Sequence, residues 1–164
     1  MSFFIIIIGY FSAKLNAARL RYKTNLYRKS IKSDTGNYSI GGDVNIAFPK
    51  NVFIGDKTYI NGGNIVASPN AKIIIGQNCL ISYNVHIRTD MHNYIERTLI
   101  NKQGVTEKDI IVGNDVWIGY GVQIMSGVTI ADGCVIAAGA IVTKNTDPYS
   151  VYAGIPARKI KMRG

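Results

Sequence analysis

The chain has two cysteines, two histidines, one tryptophan and four prolines among 164 residues, and each shortage excludes something. Cys79 and Cys134 lie far apart with no CxxC or other zinc spacing, so neither a disulfide framework nor a structural metal is suggested, and a reducing compartment fits best. No apolar run reaches the roughly 18 to 20 residues that a membrane span requires. Only 18% of residues are charged and mean hydropathy is close to zero, which argues against disorder. The length suits one compact domain and is short for two.

Acid is missing from one stretch altogether. Residues 1–33 hold Lys14, Arg19, Arg21, Lys23, Arg28, Lys29 and Lys32 and no Asp or Glu, so seven of the nine net positive charges sit in a fifth of the chain. The body is left with twelve basic and ten acidic residues, which is not a uniform basic surface, and no groove-reading motif accompanies the charge; nucleic acid is not expected as a partner. Phe3–Phe11 reads FFIIIIGYF, with the basic stretch after it, the reverse of a secretory signal. From Ala13 to Lys32 the residues Leu15, Ala18, Tyr22, Leu26 and Tyr27 fall near helical spacing, as in a Lys- and Arg-rich amphipathic helix. Such a segment either rests peripherally on an anionic membrane, where each basic residue contributes about 1 kcal/mol, or packs on its own fold or a neighbouring subunit.

What fills the rest of the chain is a period of six. Aliphatic residues recur at Val112, Ile118, Ile124, Ile130, Ile136 and Val142, and four positions after each stands a small or β-branched one: Val116, Val122, Val128, Cys134, Ala140 and Thr146. Neither the helical nor the strand period explains this. The same beat runs earlier with breaks, through Ile40 and Ile46, then Ile54, Ile60 and Val66, then Ile75, Ile81 and Ile87. Grouped in threes, these units form triangular coils of three short strands, with aliphatic side chains stacked inward coil upon coil. The expected fold is therefore all-β, a triangular hexapeptide-repeat solenoid, with an N-terminal helical segment over 1–33, a β-helix domain over 34–164 and a C-terminal tail over 147–164. Two breaks locate insertions: a small bulge between Val66 and Ile75, and a long excursion over 88–110 that should project and embrace a neighbouring chain.

The run VGNDVWIGYGVQIMSGVTIADGCVIAAGAIVTKN, followed by VYAGIPARKI, resembles the hexapeptide-repeat acyltransferases, and most closely the nodulation-factor, galactoside and maltose O-acetyltransferase branch together with small polysaccharide O-acetyltransferases. The similarity covers about residues 40–161. It implies a left-handed parallel β-helix, an exception to the usual right-handed crossover, assembled as a homotrimer with acetyl-CoA as co-substrate in the groove between adjacent prisms. This chain departs from the family pattern in three places. The N-terminal extension is apolar and basic, which weakens a free-sugar acceptor; Tyr120 follows WIG, where a small residue is common; and Ala137-Ala138-Gly139 stands for a GAG triplet, so the cofactor channel is reshaped.

Acyl transfer from a thioester to a hydroxyl needs a base for the alcohol proton, donors for the oxyanion and alignment of both substrates. Of the two histidines, His92 in RTDMHNY lies in the long excursion, where the resemblance puts the catalytic histidine; an unperturbed imidazole already suits a base near neutrality. His86 should face outward from a coil wall as a structural or substrate-contact residue. Asp90 and Glu96 flank His92 and are candidates to orient it, although a backbone carbonyl would serve and loop carboxylates are usually solvated. Asn61, in TYING, falls where the galactoside branch has an active-site Asn, the alternative being an ordinary corner Asn; Tyr83 is a further candidate for acceptor contact. For acetyl-CoA, the resemblance points to Trp117 facing outward, to backbone around Tyr120 and Ala138, to Gly139 for close approach, and to Thr143, Lys144, Arg158 and Lys161 for the phosphates. No metal is expected, because two histidines fall short of a three-His set. Cys79 and Cys134 occupy the small inward position and read as core, so transfer should be direct.

The reading is thus an acetyl-CoA-dependent O-acetyltransferase acting on a sugar hydroxyl in surface polysaccharide or glycan biosynthesis, cytoplasmic or peripheral at the inner membrane face. The alternatives are acetylation of a small acceptor such as an antibiotic, serine or an amino sugar, or a non-catalytic solenoid scaffold.

Overall fold

The computed structural model describes residues 2–164, an N-terminal helix, Ser2–Ser30, followed by a left-handed parallel β-helix. Each coil presents three faces, named here for an outward residue. The Phe53 face stacks Val52–Ile54, Ile73–Ile75, Ile110–Val112 and Thr129–Ile130. The Trp117 face stacks the start of Tyr59–Val66 under Leu80–Ile81, Trp117–Ile118, Val135–Ile136 and Ser150–Ala153. The His86 face stacks the end of Tyr59–Val66 under Val85–Arg88, Gln123–Ile124 and Ile141–Val142. Ser39–Ala47 lies beneath both of the last two.

The six-residue beat follows from what a corner demands. The aliphatic residue points inward, and three positions later the chain turns through the left-handed region at Lys57, Asn78, Asn84, Asp115, Gly121, Gly127, Gly133 and Gly139. That conformation favours Gly and Asn. The residue after each turn points inward again but has less room, so it is small: Thr58, Cys79, Val85, Val116, Val122, Val128, Cys134 and Ala140 are all buried. In-register pairing, for example Ile81 with Ile118 and Ile118 with Ile136, sets isoleucine on isoleucine. Twelve isoleucines are the largest fully buried side chains, each contributing about 1.5–3 kcal/mol. Both cysteines are buried and unpaired by disulfide.

A solenoid has two open ends, and both are covered. At the first coil Leu20 packs on Gly42, and the Tyr27 hydroxyl accepts from the Ile46 N–H. Ile31 is buried and Lys32 pairs with Phe53, so the solenoid takes up two residues that the sequence grouped with the N-terminal segment. At the last coil the antiparallel hairpin Ser150–Ala153 and Arg158–Met162 closes the Trp117 face, and Ala157 N–H bonds to the Ile141 carbonyl at 2.8 Å. Arg163 latches this tail to Asp115 at 2.9 Å and to the Gly133 carbonyl at 3.0 Å. The helix differs from the sequence expectation in one respect. Of the anticipated apolar stripe, Leu15, Ala18, Tyr22 and Leu26 are exposed and only Tyr27 meets the fold, joined there by Leu20 and Arg28 from outside the stripe.

Because each inward isoleucine is gripped from the coils above and below, Ile118→Ala should cost about 2–5 kcal/mol in urea unfolding followed by far-UV circular dichroism. A loss under about 1 kcal/mol would mean that the stacked column does not carry the fold.

Candidate active site

One corner of the prism, between the Trp117 and His86 faces, collects several of the expected residues in a column. Asn61 is half-buried at its base; next to it, a Cβ on Gly62 would lie 3.0 Å from the Tyr83 ring. Above, Gly121 N–H bonds to the Tyr83 carbonyl at 3.1 Å, and Gly139 N–H to the Tyr120 carbonyl at 2.8 Å. The Tyr120 carbonyl and the Gly139 N–H are therefore already used inside the fold, and Ala138 and Gly139 are exposed at this corner. A shallow cavity of about 410 Å³ is lined by Asp43, Gly62, Gly63, Asn64, Tyr83, Asn84 and Tyr120. A second of about 300 Å³ adjoins it through Asn64 and Asn84 and is lined further by His86, Gly121 and Gln123.

The opposite edge of the His86 face, four strand residues or roughly 13 Å away, carries the excursion. Here the chain leaves the solenoid at Thr89 and returns at Lys108, and the exit is pinned. The buried Thr89 hydroxyl meets Ser68 Oγ at 2.8 Å, and its carbonyl accepts from Lys108 N–H at 3.0 Å and Ser126 Oγ–H at 2.5 Å. Asp90–His92 then pairs antiparallel with Val105–Glu107, and Asn93 closes the hairpin by donating to the Gln103 carbonyl and accepting from Thr106. His92, exposed, is thus held three residues from a buried anchor. The bulge at Ser68, which in sequence looked like a mere insertion, supplies one partner of that anchor. Asp90 faces Arg88 at 2.8 Å, and this bond holds its carboxyl below the usual range and raises the guanidinium. Glu96 enters the loop network through its backbone, its N–H donating to Gln103 and its carbonyl accepting from the same side chain.

The remaining candidates lie on other parts of the surface. Trp117 is 54% exposed on its face, between Leu80 and Val135, with Arg163 of the tail lining the same small cavity of about 180 Å³. Thr143 and Lys144 follow the last strand of the His86 face and are exposed. In the basic tail, Lys159 pairs with Asp147 and Arg163 with Asp115, whereas Lys144, Arg158 and Lys161 are exposed and make no ion pair among the described residues. In one protomer, then, His92 stands at one corner and the Asn61, Tyr83, Tyr120 and Ala138 column at another.

His86 sits mid-ladder between Asn64 and Gln123. Burial pushes its imidazole below the ordinary histidine value, the Arg88 charge adds to this, and Asp90 opposes it. Asn64 and Gln123 escaped the sequence reading, although each stands one position before an inward aliphatic residue, which is the outward signature.

Two comparisons bear on this geometry. The sequence profile of the bacterial transferase hexapeptide family (six repeats) matches residues 109–144. Among solved structures, a maltose O-acetyltransferase from Clostridium difficile 630 is 31% identical, with 86% of this chain and 74% of that one covered and a TM-score of 0.77. A galactoside acetyltransferase in complex with coenzyme A is 34% identical, with 77% and 66% covered and a TM-score of 0.67. A hexapeptide-repeat acetyltransferase from Vibrio cholerae O1 biovar eltor, complexed with acetyl-coenzyme A, is 28% identical, with 91% and 86% covered and a TM-score of 0.75. No curated protein matches the chain by sequence. Coils of this period, shared with these solved structures, define a solenoid acyltransferase. The chain belongs to the hexapeptide-repeat acetyltransferase family.

The lowered His86 pKa carries a sign. Between the folded and unfolded values the unfolded chain binds a proton that the folded one does not, so stability is full above the unfolded value near 6.5 and falls as pH drops through it. His86→Gln should remove that dependence: the stability difference between wild type and variant should shift toward the variant on going from about pH 7.5 to about pH 5.5. Urea melts at both values measure it, and a pH-independent difference would refute the assignment.

Proposed function

We propose that the protein is an acetyl-CoA-dependent O-acetyltransferase whose site is completed by two copies, one supplying His92 and the other the Asn61 corner. The observation that carries this is the pinned hairpin, which fixes a histidine at the rim of a groove-bearing prism yet away from the amide-lined corner of its own chain. Hexapeptide-repeat acetyltransferases are generally trimeric, and the loop's exposed Tyr94, Ile95, Leu99 and Ile100 suit burial against a neighbouring prism.

The residues present fit the co-substrate. Lys144, Arg158 and Lys161 are cations available to its phosphates, and the exposed, small Ala138 and Gly139 suit an uncharged amide arm that must lie close. When bound, acetyl-CoA supplies a thioester-activated acetyl group. His92 takes the proton of the acceptor hydroxyl as its oxygen bonds to the acetyl carbon, and returns it to the departing thiolate sulfur, so no proton is gained or lost overall. Asn61 orients the acceptor or the acyl oxygen through its amide, and Tyr83, with its exposed ring, offers a platform and a hydroxyl to a sugar. Asp90, already engaged by Arg88, acts on His92 by fixing the hairpin strand.

The acceptor we infer is a sugar hydroxyl, in line with the maltose and galactoside enzymes among its relatives. The apolar and basic N-terminal helix further supports a glycan carried on lipid, with the protein in peripheral contact with the membrane and acting in surface polysaccharide or glycan biosynthesis.

His92→Ala should lower acceptor-dependent release of CoA by roughly 10²–10⁴-fold while leaving acetyl-CoA binding intact, measured against a panel of nucleotide-linked sugars, oligosaccharides and small alcohols. Undiminished turnover would remove His92 from the mechanism. Lys144→Ala with Arg158→Ala should raise KM for acetyl-CoA about tenfold or more with kcat nearly unchanged, since binding to the phosphates is the same in ground and transition states; an unchanged KM would move the phosphates elsewhere.

A further inference from the structure

Only the second half of the N-terminal helix touches the solenoid, from Leu20 to Arg28. The described side chains from Ile5 to Arg19 are all exposed. Ile5 is 62% exposed, Ile6 63%, Ile8 54% and Phe11 66%, which is a dense cluster of large aliphatic and aromatic groups in water. Four consecutive isoleucines on a helix are about 100° apart each, so they ring the axis instead of forming a stripe. That geometry distinguishes the candidate occupants. A second copy of the helix would be joined through a single seam and would bring a matching set of six positive charges alongside, with no acid in residues 1–33 to offset them. A helix lying in the membrane plane would also need one polar flank, and residues 5–8 have none.

We propose that the helix enters an anionic bilayer end-on, deepening the membrane contact suggested above and resting on that reading. The nine residues Phe3–Phe11 are about 13.5 Å long as helix, close to half of the ~30 Å hydrocarbon thickness. Their length matches one leaflet, and among the described residues no helix is long and apolar enough to cross. Lys14 then lies one turn behind Tyr10, 4.5 Å over its ring, at the depth where an aromatic ring and a cation both favour the interface. Arg19, Arg21 and Lys23 follow within reach of anionic headgroups, and the junction with the first coil at Leu20 fixes the solenoid just outside the lipid.

The test uses the full chain with nitroxide labels at Ile5→Cys, Ile8→Cys, Phe11→Cys or Lys14→Cys, the buried Cys79 and Cys134 being shielded from the reagent. With vesicles containing about 30% phosphatidylglycerol, oxygen accessibility should place the first three labels at graded depths, spanning roughly 9 Å from position 5 to position 11, and the fourth at the headgroups. Vesicles of phosphatidylcholine alone should bind about tenfold more weakly or less. Ile6→Asp with Ile8→Asp should lower binding at least about tenfold. Equal depths at 5, 8 and 11 would mean a helix in the plane and overturn the proposal. So would spin–spin broadening without lipid, which would make the occupant a second copy, or binding unaffected by the two aspartates. CoA release with a soluble acceptor, measured on the same aspartate variant, reports the catalytic reading separately, because these residues touch none of its groups.

Discussion

Coil-on-coil stacking is the constraint on which everything else in this molecule depends. Each strand of two to four residues is too short to hold a conformation alone, and gains stability only because its backbone pairs with the coils above and below while an isoleucine sits on an isoleucine. The triangular section allows no slack at the corners. Gly63, turning in the left-handed region, lies so close to the Val85 backbone that a Cβ would collide with it, and Gly119 is similarly close to Ile136 and Ala138. A prism with faces this regular has few ways to make a site on its own, since outward residues on a flat wall point apart.

The proposed chemistry therefore falls where the regularity is broken. The insertion at Ser68 and the excursion after Arg88 occur at the same corner in adjacent coils, and they are joined through Ser68 and Thr89. This gives a long loop a rigid root, with Ser126 of the next coil adding a third tie. A histidine three residues out on a paired strand has its backbone tied to that root, while its side chain stays exposed. The wall histidine, His86, has the opposite character: half-buried in an amide ladder and biased toward the neutral form.

The ends of the solenoid solve a different problem. Open ends expose unpaired strand edges, which invite unwanted pairing. At the top, the tail folds back as a hairpin and Arg163 ties it down; at the bottom, the helix and Lys32 cover the first coil. That the same helix continues well beyond the edge it protects, apolar at its tip and basic along its length, separates a capping role from the second role argued for it.

The sequence by itself determined the solenoid, because a period of six with a turn residue three places after each aliphatic one is a local demand repeated at every corner. It also determined the position of the long excursion and the outward aspect of Trp117 and His86, since parity along a short strand decides which side chains face in. Only the tertiary structure decided which partner each loop residue takes: Asp90 turns to Arg88, Thr89 to Ser68 and Ser126, Lys159 to Asp147, and Arg163 to Asp115. It alone separated His92 from the Asn61 corner, and of the expected stripe of the helix it kept only Tyr27 in contact, adding Leu20 beside it. Those outcomes depend on residues distant in the chain arriving at the same height in neighbouring coils, and on how far each side chain reaches once there, neither of which a repeat pattern encodes.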